Sequence, residues 1–244
     1  VAIVGQNGAG KTTLIKHLNG LLRPSAGRVL VGGSDIAGVP VSTLAGRIGF
    51  VFQRPEDQLF QRSVEREVAF GPRNLGSAEP NLGMVVEQAL ALVGLASERA
   101  TNPFDLGPSL RKLVALASVL AMEPAVLVLD EPTSGQDAPG AARIGAIIDA
   151  WAAAGRTVVA TTHDMELCAR HFDRVVVLRS GRVLLEGPPA AVFAPANSEV
   201  LATTGLRPPP AARVAARLGL AGVPADAAEL LAMLARASSD TAPS

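Results

Sequence analysis

The sequence predicts an α/β fold: a mostly parallel sheet covered by helices, an inserted helical subdomain, and a small helical appendage towards the C-terminal end. Three observations carry that prediction. Apolar, strand-like runs alternate with segments of helical period, the pattern of parallel strands joined by crossover helices. A glycine-rich loop, Gly5-Gln6-Asn7-Gly8-Ala9-Gly10-Lys11-Thr12, stands between an apolar run and a helical segment. A second apolar run, Val126 to Leu129, delivers two adjacent carboxylates, Asp130 and Glu131.

In chain order, Ala2, Ile3 and Val4 form the strand that ends at the first glycine, and Leu14, Ile15 and Leu18 fall on one face of the helix that follows. Gly27 to Val31 and Arg47 to Phe52 read as short strands, with Gly32-Gly33 and Gly38 to Pro40 breaking the connection. From Arg54 to Met122 the pattern turns helical, with helices expected at Val64 to Phe70, Met84 to Val93 and Leu110 to Met122. Strand character returns in Ala125 to Leu129, Thr157 to Thr162 and Val175 to Leu178, with a helix from Arg143 to Ala154 between the first two. Ser180-Gly181 reads as a hairpin turn into Arg182 to Glu186. Beyond Ala202 lies a linker containing Gly205 and Pro208 to Pro210, then two short helices, the second opened by an Asp226/Glu229 capping box. The expected domains are residues 1–203, with the helical subdomain at about 54–122, and a linker with helical tail at 204–244.

Of the 244 residues, 48% are hydrophobic and the formal net charge is zero. A core of ordinary size is therefore expected, without bias towards nucleic acid or acidic surfaces. No apolar stretch approaches the roughly 20 residues of a membrane span. There is no signal-peptide pattern, and the single cysteine, Cys168, allows no disulfide within the chain, which suits a reducing cytoplasm. The sequence starts at Val1 inside an expected core strand, so a preceding N-terminal segment is expected.

The loop residues suit phosphate. Glycines let backbone N–H groups converge on phosphate oxygens at a helix N-terminus, Lys11 adds a compact positive charge, and the Thr12 hydroxyl can ligate Mg²⁺. In a chain with nineteen arginines and three lysines, that charge is nonetheless a lysine. Asp130 and Glu131 stand at a strand's C-terminal end, where α/β sheets hold ligands. In a nucleotide site Asp130 would hold Mg²⁺ and Glu131 would orient or deprotonate the attacking water. Alone, the pair would equally well cap the next helix; with a phosphate loop in the same chain, the catalytic reading is preferred. His163 follows the Thr157 to Thr162 strand and belongs to the same expected sheet edge.

Together these stretches resemble the ATP-binding subunits of ABC transporters, a family with the P-loop NTPase fold, and most closely the energy-coupling-factor ATPases of vitamin and transition-metal uptake. The residues carrying the resemblance are the phosphate loop, Gln53 to Phe60, Glu67 to Gly76, Leu129 to Asp137, and Thr161 to Asp164. It implies ATP and Mg²⁺ as cofactors, with Gly5 through Thr13 holding the nucleotide. It also implies Thr12, Gln53 and Asp130 at the metal, and Glu131, His163 and Gln53 in catalysis. Ser134, Gly135, Gln136 and Asp137 match the loop that crosses the family's dimer interface, with Gln136 in place of the usual leucine. The family's Leu-Ser-Gly-Gly-Gln signature, which is presented to ATP on the opposite subunit, is degraded here to Leu106-Gly107-Pro108-Ser109-Leu110. Gly107 replaces the serine, Pro108 has no N–H, and Ser109 is expected to cap a helix beginning at Leu110.

The resemblance therefore implies an ATPase at the cytoplasmic face of the membrane, in an asymmetric nucleotide-sandwich dimer with a non-identical ATPase subunit. A membrane-embedded coupling subunit and a separate substrate-binding membrane subunit complete the expected assembly. The alternatives are a soluble ABC ATPase and a slow-turnover, nucleotide-gated regulatory module. A nucleic-acid partner is not expected.

Overall fold

The computed structural model describes residues 1–78 and 81–240; the last four residues of the expected tail lie outside them. The elements in chain order are β1 (Ala2–Val4), α1 (Lys11–Leu18), β2 (Leu30–Val31), β3 (Ser34–Asp35), α2 (Val41–Ala45), β4 (Ile48–Val51), α3 (Val64–Asn74), α4 (Asn81–Val93) and α5 (Pro108–Leu120). There follow β5 (Val126–Asp130), α6 (Ala138–Ala153), β6 (Thr157–Thr161), α7 (Met165–His171), β7 (Val175–Arg179), β8 (Arg182–Gly187), α8 (Pro189–Val192), α9 (Ser198–Ala202), α10 (Pro210–Arg217) and α11 (Ala227–Asp240). The chain folds as two compact units, residues 12–161 and residues 1–11 with 162–244.

In the unit 12–161, β4, β5 and β6 pair in parallel, with Ile48 opposite Val126 and Val126 opposite Thr157. Val51 lies opposite Leu129, and Asp130 opposite Thr161. Leu127, Val128 and Leu129 are buried without interruption, as a strand covered on both faces must be. The α3, α4 and α5 helices pack on one another, and α5 also packs on β4. Ser63 caps α3 by accepting the Arg66 N–H, and α3 runs to Asn74, past the expected end at Phe70, with Pro72 inside it. The proline removes one ladder bond, while Val68, Ala69 and Pro72 are buried on the face that keeps the helix in place.

Three smaller departures have local causes. The strand expected over Gly27 to Val31 shrinks to β2, because Gly32 and Gly33 both adopt positive φ and turn the chain straight back into β3. The helix expected from Arg143 begins at Ala138, since the Asp137 carboxylate accepts the Gly140 N–H and caps it there. The α4 helix begins at Asn81 rather than Met84.

In the other unit, β1 pairs in parallel with β7, and β7 with β8 antiparallel. Ser180 and Gly181 have φ of 50° and 76°, so the expected hairpin turn is present and of the primed type that suits strand twist. Cys168 is fully buried in α7. The expected capping box holds α11, with Asp226 accepting the Glu229 N–H at 2.9 Å and Glu229 accepting from Ala225 N–H at 2.8 Å. Among the described residues no helix is long and apolar enough to cross a membrane.

In the unit 12–161 a Cβ at Gly49 would lie 2.4 Å from Val119 Cγ1 and 2.7 Å from Pro124 Cγ. Gly49→Ala is therefore expected to lower unfolding stability by about 1–3 kcal/mol, the usual cost of overpacking. The urea midpoint of the purified chain measures it.

Candidate functional site

The phosphate loop belongs to the unit of residues 1–11 and 162–244. It leaves β1 at Gly5, where any side chain is excluded: a Cβ would sit 2.4 Å from the Leu178 carbonyl oxygen. The Ala9 N–H donates to Gln6 O at 3.1 Å, and the Gly181 N–H donates to Ala9 O at 3.0 Å, so the β7–β8 turn backs the loop. Gly10 has φ of 98°, a conformation that spares the loop a Cβ as it enters α1. The Lys11 ammonium is buried, donates to Gly5 O at 2.7 Å, and lies 3.1 Å from His163 Nε2. An ammonium only donates, so Nε2 is the acceptor and the imidazole proton sits on Nδ1. His163 is positioned by its neighbours: the Thr162 N–H donates to Ile3 O, Thr162 Oγ1 accepts the Asp164 N–H, and Asp164 caps α7. His17, read as structural, hydrogen-bonds through Nδ1 to Thr13 O within α1.

A second cluster, within the unit 12–161, is built at the ends of β5 and β6. Asp130 is 3% exposed, and its Oδ1 accepts from Thr161 Oγ1 at 2.5 Å and from Thr12 Oγ1 at 3.2 Å. The parallel register makes the Thr161 contact, since Asp130 and Thr161 are cross-strand partners. Glu131 follows with φ of 50°, in the left-handed region that a non-glycine residue enters only when its surroundings fix it there. Its N–H donates to Thr161 O at 3.0 Å and its carbonyl accepts the Lys112 ammonium at 2.5 Å. Thr12 and Asp130 supply a hydroxyl and a carboxylate, the hard oxygen donors that Mg²⁺ takes beside phosphate oxygens, and their geometry fits that ion. Among the described residues no three His, Cys, Asp or Glu side chains cluster into a self-contained metal cage.

Gln53 is exposed, two residues beyond Val51 on the strand that neighbours β5, so it stands at the same strand edge as Asp130 and Glu131. The segment after it is held by Gln58 and Glu67, which entered the sequence reading only as part of the family resemblance. Gln58 donates to Ala115 O at 2.7 Å and Ser118 Oγ at 3.0 Å, and accepts the Phe52 N–H. Glu67, 3% exposed, accepts the N–H groups of Phe60 and Gln61 at 2.9 and 2.7 Å. Phe60 and Phe70, both exposed, meet edge to face at 4.7 Å. With Phe52, Leu75 and Met122 they line an apolar groove of about 470 Å³.

The degraded signature region departs from expectation. The α5 helix begins at Pro108 with Gly107 as its N-cap and no side-chain cap, so Ser109 lies inside the first turn and does not cap it. Proline at the first helical position costs nothing locally, because that N–H would have no partner within the helix. Ser109 Oγ instead donates to Gln136 Oε1 at 3.0 Å, and Gln136 Nε2 donates back to Ser109 O at 3.2 Å. Ser109 of the degraded signature thus bonds to Gln136, the residue that stands in place of the usual leucine. One turn further along α5, Lys112 is 4% exposed and donates to Glu131 O and, at 3.1 Å, to Ser134 O. Burial pulls its pKa below the usual lysine value, opposed by the Glu131, Asp130 and Glu56 carboxylates. The available signal for Lys112 was its place on the same helical face as Ala115 and Val119, in a chain with few lysines.

A family profile described as ABC transporter matches residues 1–134. A putative ABC transporter ATP-binding protein of Methanosarcina acetivorans is 43% identical over 223 residues, 91% of this chain, which spans 36% of that relative's length. The energy-coupling factor transporter ATP-binding protein EcfA of Methanoculleus marisnigri is 43% identical over 229 residues, covering 93% of this chain and 82% of its own. Among solved structures, cbiO1 of Clostridium perfringens, part of the ABC transporter complex cbiONQ, matches with a TM-score of 0.72 and 39% identity over 84% of this chain and 82% of that one. With the phosphate loop, the Asp130-Glu131 strand end and these relatives in agreement, the chain belongs to the ABC transporter family, among the ATP-binding subunits of the energy-coupling-factor type.

Proposed function

We propose that this chain binds and hydrolyses ATP to energise an energy-coupling-factor importer for a vitamin or a transition-metal ion. The observation that carries the reading is Thr12 Oγ1 beside the Asp130 carboxylate, directly after a phosphate loop whose lysine is already aligned with His163. Backbone N–H groups of Gly5 to Thr13 bind the phosphates, and Lys11 neutralises their charge. Thr12, Asp130 and Gln53 would hold Mg²⁺, which would supply positive charge to the phosphate oxygens. Gln53 orients a water molecule, and Glu131 takes its proton as the water oxygen bonds to the γ-phosphorus. The bond from that phosphorus to the bridging oxygen breaks, leaving ADP and phosphate. Once the Lys11 ammonium turns from His163 Nε2 to the phosphates, His163 changes to the Nε2–H tautomer and donates to the γ-phosphoryl oxygens.

The groove between Phe52, Phe60, Phe70, Leu75 and Met122 suits an apolar segment of the membrane-embedded coupling subunit, which would hold the chain peripherally at the cytoplasmic face. A separate membrane subunit selects the substrate. A second, non-identical ATPase subunit closes on the nucleotide bound here, with Ser134 to Asp137 at the contact between them. This chain's own Gly107, Pro108 and Ser109 close weakly on the partner's nucleotide, since loss of one preorganised donor typically costs about 2.7–4 kcal/mol. The same tied-up signature favours a second reading, a nucleotide-gated module of slow turnover. Comparing turnover with and without the membrane subunits separates the two.

Lys11→Ala is expected to abolish nucleotide binding, read by calorimetric titration with ATP and Mg²⁺. Glu131→Gln should bind ATP as the wild type does while phosphate release falls about 10²–10⁴-fold; normal turnover would remove Glu131 as the base. Chelating divalent cations with EDTA should stop hydrolysis, and adding back Mg²⁺ should restore it. In the purified complex, inactivating Glu131 and the partner's equivalent carboxylate separately should reduce turnover unequally. Equal losses would overturn the asymmetry.

A further inference from the structure

The backbone of Glu131 is fixed from three sides. Its N–H donates to Thr161 O at 3.0 Å, with Thr161 Oγ1 at 3.2 Å. Its carbonyl accepts both the Lys112 ammonium at 2.5 Å and the Ser134 N–H at 3.3 Å. Between those ties φ is 50°, so the direction in which the side chain leaves the backbone depends on a conformation the residue would not keep unaided. The Thr161 tie comes with the sheet register; the carbonyl tie to Lys112 does not, and is made by a charged side chain placed where charge is costly. A buried ammonium with two carbonyl acceptors is a demanding way to satisfy backbone groups, and both acceptors belong to the same short loop, Glu131 and Ser134.

Three residues earlier on the same face of α5, Ser109 makes the reciprocal pair with Gln136. The loop from Glu131 to Gln136 is thus gripped at its start, middle and end by one helix. We infer that Lys112 is a positioning residue for Glu131, and that Lys112 with the Ser109–Gln136 pair forms a clamp through which α5 sets the direction of that carboxylate. The inference rests on Glu131 acting as the base, as proposed above. It gives the unusual Gln136 a role, and it makes any force on the N-terminal end of α5 a force on the catalytic loop, because the clamp leaves no slack between them.

Lys112→Met keeps the length and apolar stem and removes the donor. In the assembled transporter its kcat is expected to fall on the order of 10²-fold, the scale of misplacing a reacting group by about an ångström. KM for ATP should stay near the wild-type value. In the full-length chain, hydrogen exchange should rise in the peptide spanning residues 130–137 and remain unchanged in β1 and α1, a pattern that a general loss of stability would not give.

Glu131→Gln is measured alongside. If Glu131→Gln turns over normally, the assignment of the base fails, and unchanged exchange in Lys112→Met would additionally overturn the clamp. If Glu131→Gln is inactive and Lys112→Met keeps both normal kcat and normal exchange, the positioning role is overturned while the base assignment stands. Should Lys112→Met fail to fold, the cycle of Ser109→Ala, Gln136→Leu and the double variant decides. Exchange in 130–137 that rises in each single variant and no further in the double supports the clamp, and exchange at the wild-type level in all three overturns it.

Discussion

A change of polarity at one strand end governs the cluster around Asp130 and Glu131. In β5, Leu127 to Leu129 lie buried in the middle of three parallel strands, and the chain then places two carboxylates in succession. Neither carboxylate can retreat into solvent: Asp130 is 3% and Glu131 9% exposed. A buried carboxylate must find donors. For Asp130 they are the hydroxyls of Thr161 and Thr12, the first delivered by sheet register and the second by the opening turn of α1. The structural solution to burying Asp130 therefore also places the Thr12 hydroxyl beside it, the pair of oxygens a divalent ion on phosphate needs.

For Glu131 the solution is different. Strand β5 ends at Asp130, and the chain turns away through a positive φ that only the surrounding hydrogen bonds maintain. The Glu131 carbonyl at that turn is buried and accepts the Ser134 N–H at 3.3 Å, while the Ser134 carbonyl belongs to an exposed residue. Lys112 reaches both. Its desolvation is offset by these carbonyls and by the field of the neighbouring carboxylates, which act against the fall of its pKa. Turn, lysine and carboxylates are mutually dependent.

How much of this could be read beforehand follows from the range of the interactions involved. The phosphate loop, the buried strands and the hairpin turn at Ser180-Gly181 are written in local patterns: glycine spacing, apolar runs, and a turn dipeptide. So is the Asp226/Glu229 box on α11. Side chains that act across long sequence separations leave no such local mark. Gln58 bonds to Ala115 and Lys112 to Glu131, and each looks in isolation like an ordinary polar residue. Ser109 and Gln136 were marked by the resemblance, but nothing in their spacing pairs them. The misplaced helix start at α5 has the same origin: a serine before an apolar run signals an N-cap, but proline at the first helical position and a distant glutamine claimed it instead.

That last substitution bears on what the degraded signature can do. A helix N-terminus offers its field to an anion only through groups that point outward. Here the first helical residue is Pro108, which contributes no N–H, and the Ser109 hydroxyl donates inward to Gln136. Two donors that could face a second subunit are thus gone for different reasons, one by chemistry and one by sequestration. The first loss is permanent; the second is conditional, because the Ser109–Gln136 pair is partly buried and a neutral hydrogen bond of this kind is worth only about 0.5–1.5 kcal/mol. An approaching nucleotide phosphate, forming a charge-assisted bond of roughly twice that strength, could draw the hydroxyl outward. Doing so would release one end of the loop that carries Glu131. On the function proposed above, weak recognition of nucleotide on a partner and the placement of Glu131 would then draw on the same few hydrogen bonds, so that engaging that nucleotide would come at the expense of order in the Glu131–Gln136 loop.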